Sequence, residues 1–466
     1  MKRKLACLLL AWAAVASAQE AAKEPTGGIT VALLEEIQNS LTPDVHSRFA
    51  LNALAQMDAK KIAPDWNRMR AVDTHFSHTL PPQKITDQKA SGRCWIFAGL
   101  NILRPVAAKK LNMDDFEFSE NYLFFYDKLE KANLFLEAIR RTRERPLNDR
   151  MVEFLFRNPI DDGGQWTSLV ELIRKYGVVP LDVMPETYSS VNTATFNHTL
   201  SMKLREKALA IRRSAADADT AAIKLQALKE VYRILALNLG LPPKTFSWRS
   251  EDRKKKLGAF KTYTPLEFYQ ETTAADLDNY FALYSIANRP YDRLFQIELD
   301  KTMYDRPNLT FVNTSIDTLK LLARASILDN EPVWFGCDMT QDVFRDSGLM
   351  MPGIYDYAAI YGLDFTLSRA DMFESYAISA NHAMLLCGVD IVDGKVRKWL
   401  VENSWGEQIG KKGYLHMLDE WFGHFVLMII VHKNFIPPRL LALYQTEPEI
   451  LPPWDPMYRA VTLERP

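Results

Sequence analysis

The chain has 466 residues, 47% of them hydrophobic and 25% charged, with a formal net charge of −1. That is ordinary globular composition with enough chain for two or three domain-sized cores. The near-neutral balance excludes the global basic field that would point to nucleic acid or acidic lipid as a partner. Four cysteines, Cys7, Cys94, Cys337 and Cys387, form no CxxC pair. Neither a zinc knuckle nor a disulfide scaffold is therefore expected, and the residues call for no metal and no cofactor.

In chain order, residues 1–18 read as a signal peptide. Met1-Lys2-Arg3-Lys4 is a basic head, residues 5–15 are an apolar core too short to span a bilayer, and Ala16-Ser17-Ala18 is an A-x-A cleavage site. The expectation is export, to the periplasm or outside the cell, after cleavage near Ala18. Cys7 lies within the apolar core and is not read as a lipid-modified cysteine. The mature chain keeps three cysteines, and an odd, sparse count in an exported protein fits a free reactive thiol. No other stretch is apolar enough to cross a membrane, so none is expected beyond the signal peptide.

Residues 19–87 read as an N-terminal helical arm with an extended lead-in. Helical spacing over residues 30–62 (Leu33, Leu34, Ile37, then Phe49, Leu51, Leu54, Met57) predicts two helices, and residues 72–85, with Pro81-Pro82, predict an extended segment. Residues 88–190 form the next region. Gln88-Lys89-Ala90-Ser91-Gly92-Arg93-Cys94-Trp95-Ile96-Phe97 reads as a loop entering a buried helix, with Cys94 in its first turn and Pro105 ending or kinking it. A second long helix follows from Asn121 to about Arg143. Asp161-Asp162-Gly163-Gly164-Gln165-Trp166 then leads to a helix from Ser168 to Tyr176. A plain turn accounts for the glycine pair when it is taken alone; paired glycines also let another backbone approach closely.

Residues 191–330 read as a helical insertion, with Leu204, Ala208, Ile211, Leu228, Val231 and Leu235 marking core faces. Arg253-Lys254-Lys255-Lys256 reads as a solvated loop rather than a nucleic-acid patch. Thr264-Pro265 starts one further helix, with proline in its first turn, and residues 319–328 form another. From 331 to 436 the pattern turns to β, with strands over 333–337, 383–389, 397–402, 413–417 and 425–431. Asp393-Gly394 is a hairpin signal. Residues 437–466 read as a proline-rich tail without periodicity.

Two features of the β half answer Cys94. His382 opens a buried strand in Asn381-His382-Ala383-Met384, and Asn403-Ser404-Trp405-Gly406 follows the next strand, with Asn403 21 residues after His382. A lone histidine is more often a packing or surface group, but this imidazole can take the thiol proton. The Asn403 amide can then fix the ring tautomer, and Trp405 can keep water from that bond. A helix N-terminus favours thiolate, and thiolate is the nucleophile. Gln88, with the N–H of Cys94, can donate to a developing oxyanion, a term worth ~10²–10³ in rate per donor. The order Gln88, Cys94, His382, Asn403 completes a Cys-His-Asn arrangement.

Gly92-Arg93-Cys94-Trp95, Asn381-His382-Ala383 and Glu402-Asn403-Ser404-Trp405-Gly406 resemble the motifs of papain-like cysteine peptidases. The longer strings from Gln88 to Phe97, Asp162-Gly163-Gly164-Gln165-Trp166, Pro265-Leu266-Glu267-Phe268-Tyr269, Trp334-Phe335-Gly336-Cys337-Asp338 and Leu451-Pro452-Pro453-Trp454-Asp455-Pro456-Met457 resemble the bleomycin hydrolase/aminopeptidase C family, over residues 28–457. His382 follows Cys94 by 288 residues, against about 130–150 in plain papain-like enzymes. The excess matches that family's helical insertion.

The resemblance implies an α+β, papain-like fold: a helical lobe, an antiparallel β lobe bearing His382 and Asn403, a cleft between them, and a large helical insertion. It implies aminopeptidase action on short peptides, homohexamers, and a C-terminal tail (437–466) reaching the cleft to hold the substrate's amino terminus. By the same analogy Gly163 and Gly164 pair with the substrate backbone, the Asn381 carbonyl faces the leaving side, and Trp405 lines the site. One departure bears on specificity. Nine residues, 458–466, follow Met457, where such chains usually end within a few, so an endopeptidase, or an amidase or acyltransferase using the same triad, is the alternative.

Overall fold

A computed structural model describes residues 27–41 and 44–455. The expected signal peptide, Cys7 and residues 456–466 lie outside the described residues. The described chain divides into two compact units. One comprises residues 27–41 and 44–63 together with Tyr357–Leu363. Its helices Val31–Ser40, Val45–Leu54 and Ala59–Ile62 are capped by Thr30, Asp44 and Asp58, whose side-chain oxygens accept early helix N–H groups. The spacing predicted two helices here; the third is a single turn. None of the three buries a residue. The His46 ring nitrogen Nε2 bonds the Ala359 carbonyl at 2.6 Å.

The other unit, residues 64–356 and 364–455, holds everything that bears on chemistry. Three helices, Cys94–Leu111, Glu120–Arg141 and Trp166–Tyr176, pack on one another, and the first also packs against the strand His382–Val392. Contrary to the expectation of an end at Pro105, the Cys94 helix continues through it. It runs on to Leu111 and stops at Asn112, whose left-handed φ of 54° closes the end. Leu103 and Ala107, on either side of the proline, are buried, and Arg104 donates to the carbonyls of Phe116 and Lys84 and to Asn101 Oδ1. Tertiary packing on both flanks outweighs one missing backbone bond and the ring clash of about 3 kcal/mol.

A 12-stranded mixed sheet carries the rest. Its centre is the antiparallel series Val426–His432, Val333–Cys337, His382–Val392, Lys395–Glu402 and Tyr414–Leu418, in the segments where β was expected. Asp393 and Gly394, at φ 52° and 76°, make the tight turn between two of these strands. Val333–Cys337 is buried at every position because helices and loops cover both faces. Toward the edges the sheet gains parallel pairs, so the β part is not purely antiparallel: Tyr280–Tyr284 runs parallel to Thr310–Asn313, and Glu449–Leu451 to Arg293–Ile297.

Those edge strands correct two expectations. Residues 191–330 are not a wholly helical insertion. Besides the shorter helices Pro265–Thr272 and Ile316–Leu328, where helices were expected, the helical part is the pair Thr193–Arg213 and Asp217–Leu239, packed on Glu120–Arg141. Beyond it come the hairpin Phe246–Trp248/Lys261–Tyr263 and three strands of the main sheet. Each of these strands is five residues or fewer, and Tyr280–Tyr284 pairs with Val426–His432, far away in sequence. Local pattern carries no signal for such pairing. Residues 253–256 sit exposed in the hairpin's connection. The described part of the tail is likewise ordered: helix Pro438–Leu441, a 3-10 turn Ala442–Gln445, and the strand Glu449–Leu451 at the sheet edge.

Candidate active site

The lead-in to Cys94 is held by main-chain bonds to the segment after Asn403. Gln88 N–H donates to the Ser404 carbonyl at 2.9 Å, Gly406 N–H donates to the Thr86 carbonyl at 3.1 Å, and Asp87 bridges Trp405. Elements 316 residues apart in sequence thus set the approach to the nucleophile helix. Cys94 is its first residue and is buried, and Arg93 places no side-chain cap on the helix. The first N–H groups are therefore left free at the thiol. Burial pushes the thiol up to about 11, against the N–H groups of Ala383, Trp95 and Cys94 itself, which favour thiolate.

The Ala383 amide comes from the residue after His382, so the strand end that carries the imidazole lies on the thiol. His382 Nε2 is 2.8 Å from Asn403 Oδ1, an oxygen that also accepts the Ser404 N–H at 2.8 Å. That oxygen can only accept, so Nε2 carries the proton and Nδ1 is the bare acceptor. Nδ1 is buried and has no hydrogen-bond partner among the described residues. Burial holds the ring down to about 4, with the Asn403 bond opposing it and the Arg345 guanidinium adding to it. Burial thus disfavours the charged form of each group, and the bare Nδ1 is the acceptor where a thiol proton would go. The Trp405 ring covers the imidazole, with centroids 4.6 Å apart.

Gln88 is anchored at both ends of its amide. Its Nε2 donates to the Ser91 carbonyl at 2.7 Å, and its Oε1 accepts the Ser404 hydroxyl at 2.7 Å. One amide hydrogen is left over to donate elsewhere. Ser404, which the sequence reading quoted only as part of a motif, is thus the residue that orients Gln88.

Asp162 is a second residue whose part was not foreseen. Its carboxylate accepts from Gly92 N–H (3.0 Å), Asn197 Nδ2 (2.6 Å) and Thr193 Oγ1 (2.5 Å), and pairs with Lys128 Nζ (2.7 Å). Its carbonyl takes the Trp95 indole N–H at 2.8 Å. Burial pushes the carboxyl up, but Lys128 and these hydrogen bonds outweigh it and hold Asp162 well below the usual carboxylate range. Burial also holds Lys128 below its ordinary value. The four donors on the carboxylate keep the pair ionised. This knot ties the loop before Cys94 to the glycine pair.

At that pair, a Cβ on Gly164 would come within 2.5 Å of the Trp95 indole, so only glycine fits. Among the described residues, Gly164 spends neither its N–H nor its carbonyl on a hydrogen bond. The Gly163 carbonyl accepts from Lys131. Both glycines line a cleft open to solvent, with Phe154, Asp161, Asp300 and Lys131 among its walls. Asn381 spends its side chain on Met339 N–H (2.8 Å) and on Asp338 (2.6 Å), leaving only its main-chain carbonyl for substrate.

A family model described as Peptidase C1-like matches residues 28–458. The chain belongs to the Peptidase C1-like family. Within it, an aminopeptidase C of Listeria monocytogenes is 38% identical over 390 residues, spanning 83% of this chain and 88% of the relative. A bleomycin hydrolase of Homo sapiens is 39% identical over 399 residues, spanning 82% and 88%. The crystal structure of PepW from a Lactobacillus is 37% identical, with a TM-score of 0.89 over 93% of this chain and 99% of that one. The α+β, papain-like fold expected from the motifs is the fold of this family member.

Proposed function

We propose that this chain is a cysteine aminopeptidase that removes N-terminal residues from short peptides. The observation that carries the chemistry is the buried His382 ring, fixed by Asn403 at Nε2 and bare at Nδ1, on a strand end that touches the Cys94 thiol. As Cys94 Sγ attacks the scissile carbonyl carbon, its proton passes to His382 Nδ1. The free hydrogen of the Gln88 amide and the Cys94 N–H receive the oxyanion. The C–N bond then breaks, His382 protonates the departing amine, and a thioester remains on Cys94. Water, deprotonated by His382, hydrolyses it. The unpaired main chain of Gly164 is suited to hold the acyl-side backbone, and the Asn381 carbonyl and Trp405 to border the leaving side.

Aminopeptidase specificity is favoured by the names of the relatives and by the last described residues. Trp454 packs edge-on against Phe154, a wall of the cleft beside the glycine pair, with centroids 6.3 Å apart, and Asp455 pairs with Arg289. In our reading this end of the chain confers the requirement for a free amine. Copies of the chain cover the exposed apolar arm in our reading, with Phe49 72% and Leu51 69% exposed, as part of a homohexamer. Residues 1–18 direct export.

The test compares an aminoacyl-amidocoumarin with one peptide in free and N-acetylated forms, using the full chain and a chain cut after Met457. Coumarin release lost in Cys94→Ala, and peptide cleavage only with a free amine, are expected. Equal cleavage of the acetylated peptide would establish an endopeptidase instead. Cleavage of acetylated peptide by the shortened chain alone would locate the specificity in the tail.

A further inference from the structure

Arg345 has no part in the chemistry above. It is exposed, and among the described residues no carboxylate pairs with its guanidinium. Its carbon Cζ lies over the Trp405 ring, 4.8 Å from the centroid, and that ring covers His382 at 4.6 Å. The charge is near enough to the imidazole to hold its pKa down. A cation without a direct carboxylate partner, stacked on the tryptophan that caps the catalytic histidine, is electrostatically unfavourable for the imidazolium formed in the reaction, so a compensating anion there would help. An arginine fixed by stacking is also well suited to grip a carboxylate with two parallel N–H groups.

The direction of the reaction says which anion. The acyl part of the substrate lies toward Gly163 and Gly164. The departing amine must lie at His382, which protonates it. In a dipeptide the departing group is a free amino acid, whose carboxylate is on the order of 3 Å from its amine nitrogen. With a hydrogen bond of about 2.8 Å at each end, that group reaches roughly 8–9 Å around the edge of the indole, and the imidazole and guanidinium, at 4.6 and 4.8 Å from the Trp405 centroid, lie no farther apart than those two distances together. We infer that Arg345 binds the C-terminal carboxylate of the leaving amino acid, so that the site is tuned to dipeptides carrying a free C-terminus. This deepens the aminopeptidase reading and rests on it.

The inference is tested with one dipeptide, its C-terminal amide and an aminoacyl-amidocoumarin, assayed with the full-length wild type, Arg345→Met and Arg345→Lys. The wild type should prefer the free dipeptide over its amide by about tenfold in kcat/KM, the scale of one hydrogen-bonded charge pair at a partly wet site. Arg345→Met should bring that ratio near one, mainly through KM, and Arg345→Lys should keep part of it. Any indirect effect through His382 acts on dipeptide and amide alike and cancels in the ratio. A wild-type ratio near one, or a ratio unchanged in Arg345→Met, overturns the inference. Coumarin hydrolysis in the same proteins shows that the aminopeptidase reading still stands in that case. If no substrate is cleaved by the wild type, both readings fall.

Discussion

Asp162→Asn separates the knot beneath the site from the reacting groups. Lys128 is fully buried, lies over the Phe124 ring at 4.9 Å, and has Asp162 as its carboxylate partner at 2.7 Å. The substitution keeps the shape but leaves a buried ammonium without its counter-charge. Breaking such a pair from one side costs about 3–5 kcal/mol, a large part of the ~5–15 kcal/mol that holds a typical protein folded. The Gly92 N–H bond weakens with it, so the loop before Cys94 should loosen and kcat should fall as well. Adding Lys128→Met removes the stranded charge and should restore most of the stability. Guanidinium unfolding of wild type, both single variants and the double closes a mutant cycle, with an expected coupling of at least about 2 kcal/mol. A loss below about 1 kcal/mol in Asp162→Asn, or a double variant as unstable as the two singles added together, would refute the account of this pair.

Ser404→Ala removes the hydroxyl that fixes Gln88 Oε1 at 2.7 Å. The amide is then free to turn away from the oxyanion, and kcat should drop about tenfold with KM little changed, since a mispositioned donor is lost only in part. Unchanged kcat in steady-state assays would show that Ser91 alone orients Gln88. Titration offers a test independent of substrate. His382 is held down to about 4 from an ordinary 6.5, so the unfolded chain binds that proton first as pH falls. Stability is full above about 6.5 and declines toward pH 4, by about 3 kcal/mol for this group. His382→Gln should flatten that acid slope, while His416, also held down to about 4 by burial, leaves a residual one. Cys94, raised to about 11 from 9.0, acts with the opposite sign: its contribution is full below pH 9 and is lost as pH rises through 11. Identical acid slopes in wild type and His382→Gln would contradict the buried, neutral imidazole.

Residue type and order alone determined the chemistry of this chain. Gln88, Cys94, His382 and Asn403 stood out as candidates because a thiol nucleophile needs a base, an orienter and an oxyanion donor, and few residue types serve. The nucleophile helix and the central strands were legible for a similar reason: a tight turn before an apolar run, hairpin turns and hydrophobic period are local, and buried packing reinforces them. Three things were decided only in three dimensions. The strands at 280–284 and 293–297 exist because the distant segments 426–432 and 449–451 pair with them, and 310–313 fills the place between the two, which no local pattern encodes. The Cys94 helix passes through Pro105 because Leu103 and Ala107 are buried on either side. Ser404, Asp162 and Arg345 acquire their parts from contacts with Gln88, Lys128 and Trp405, residues brought near by the fold rather than by spacing. A nucleophile can be read from what it is; the groups that position it can be read only from what they touch.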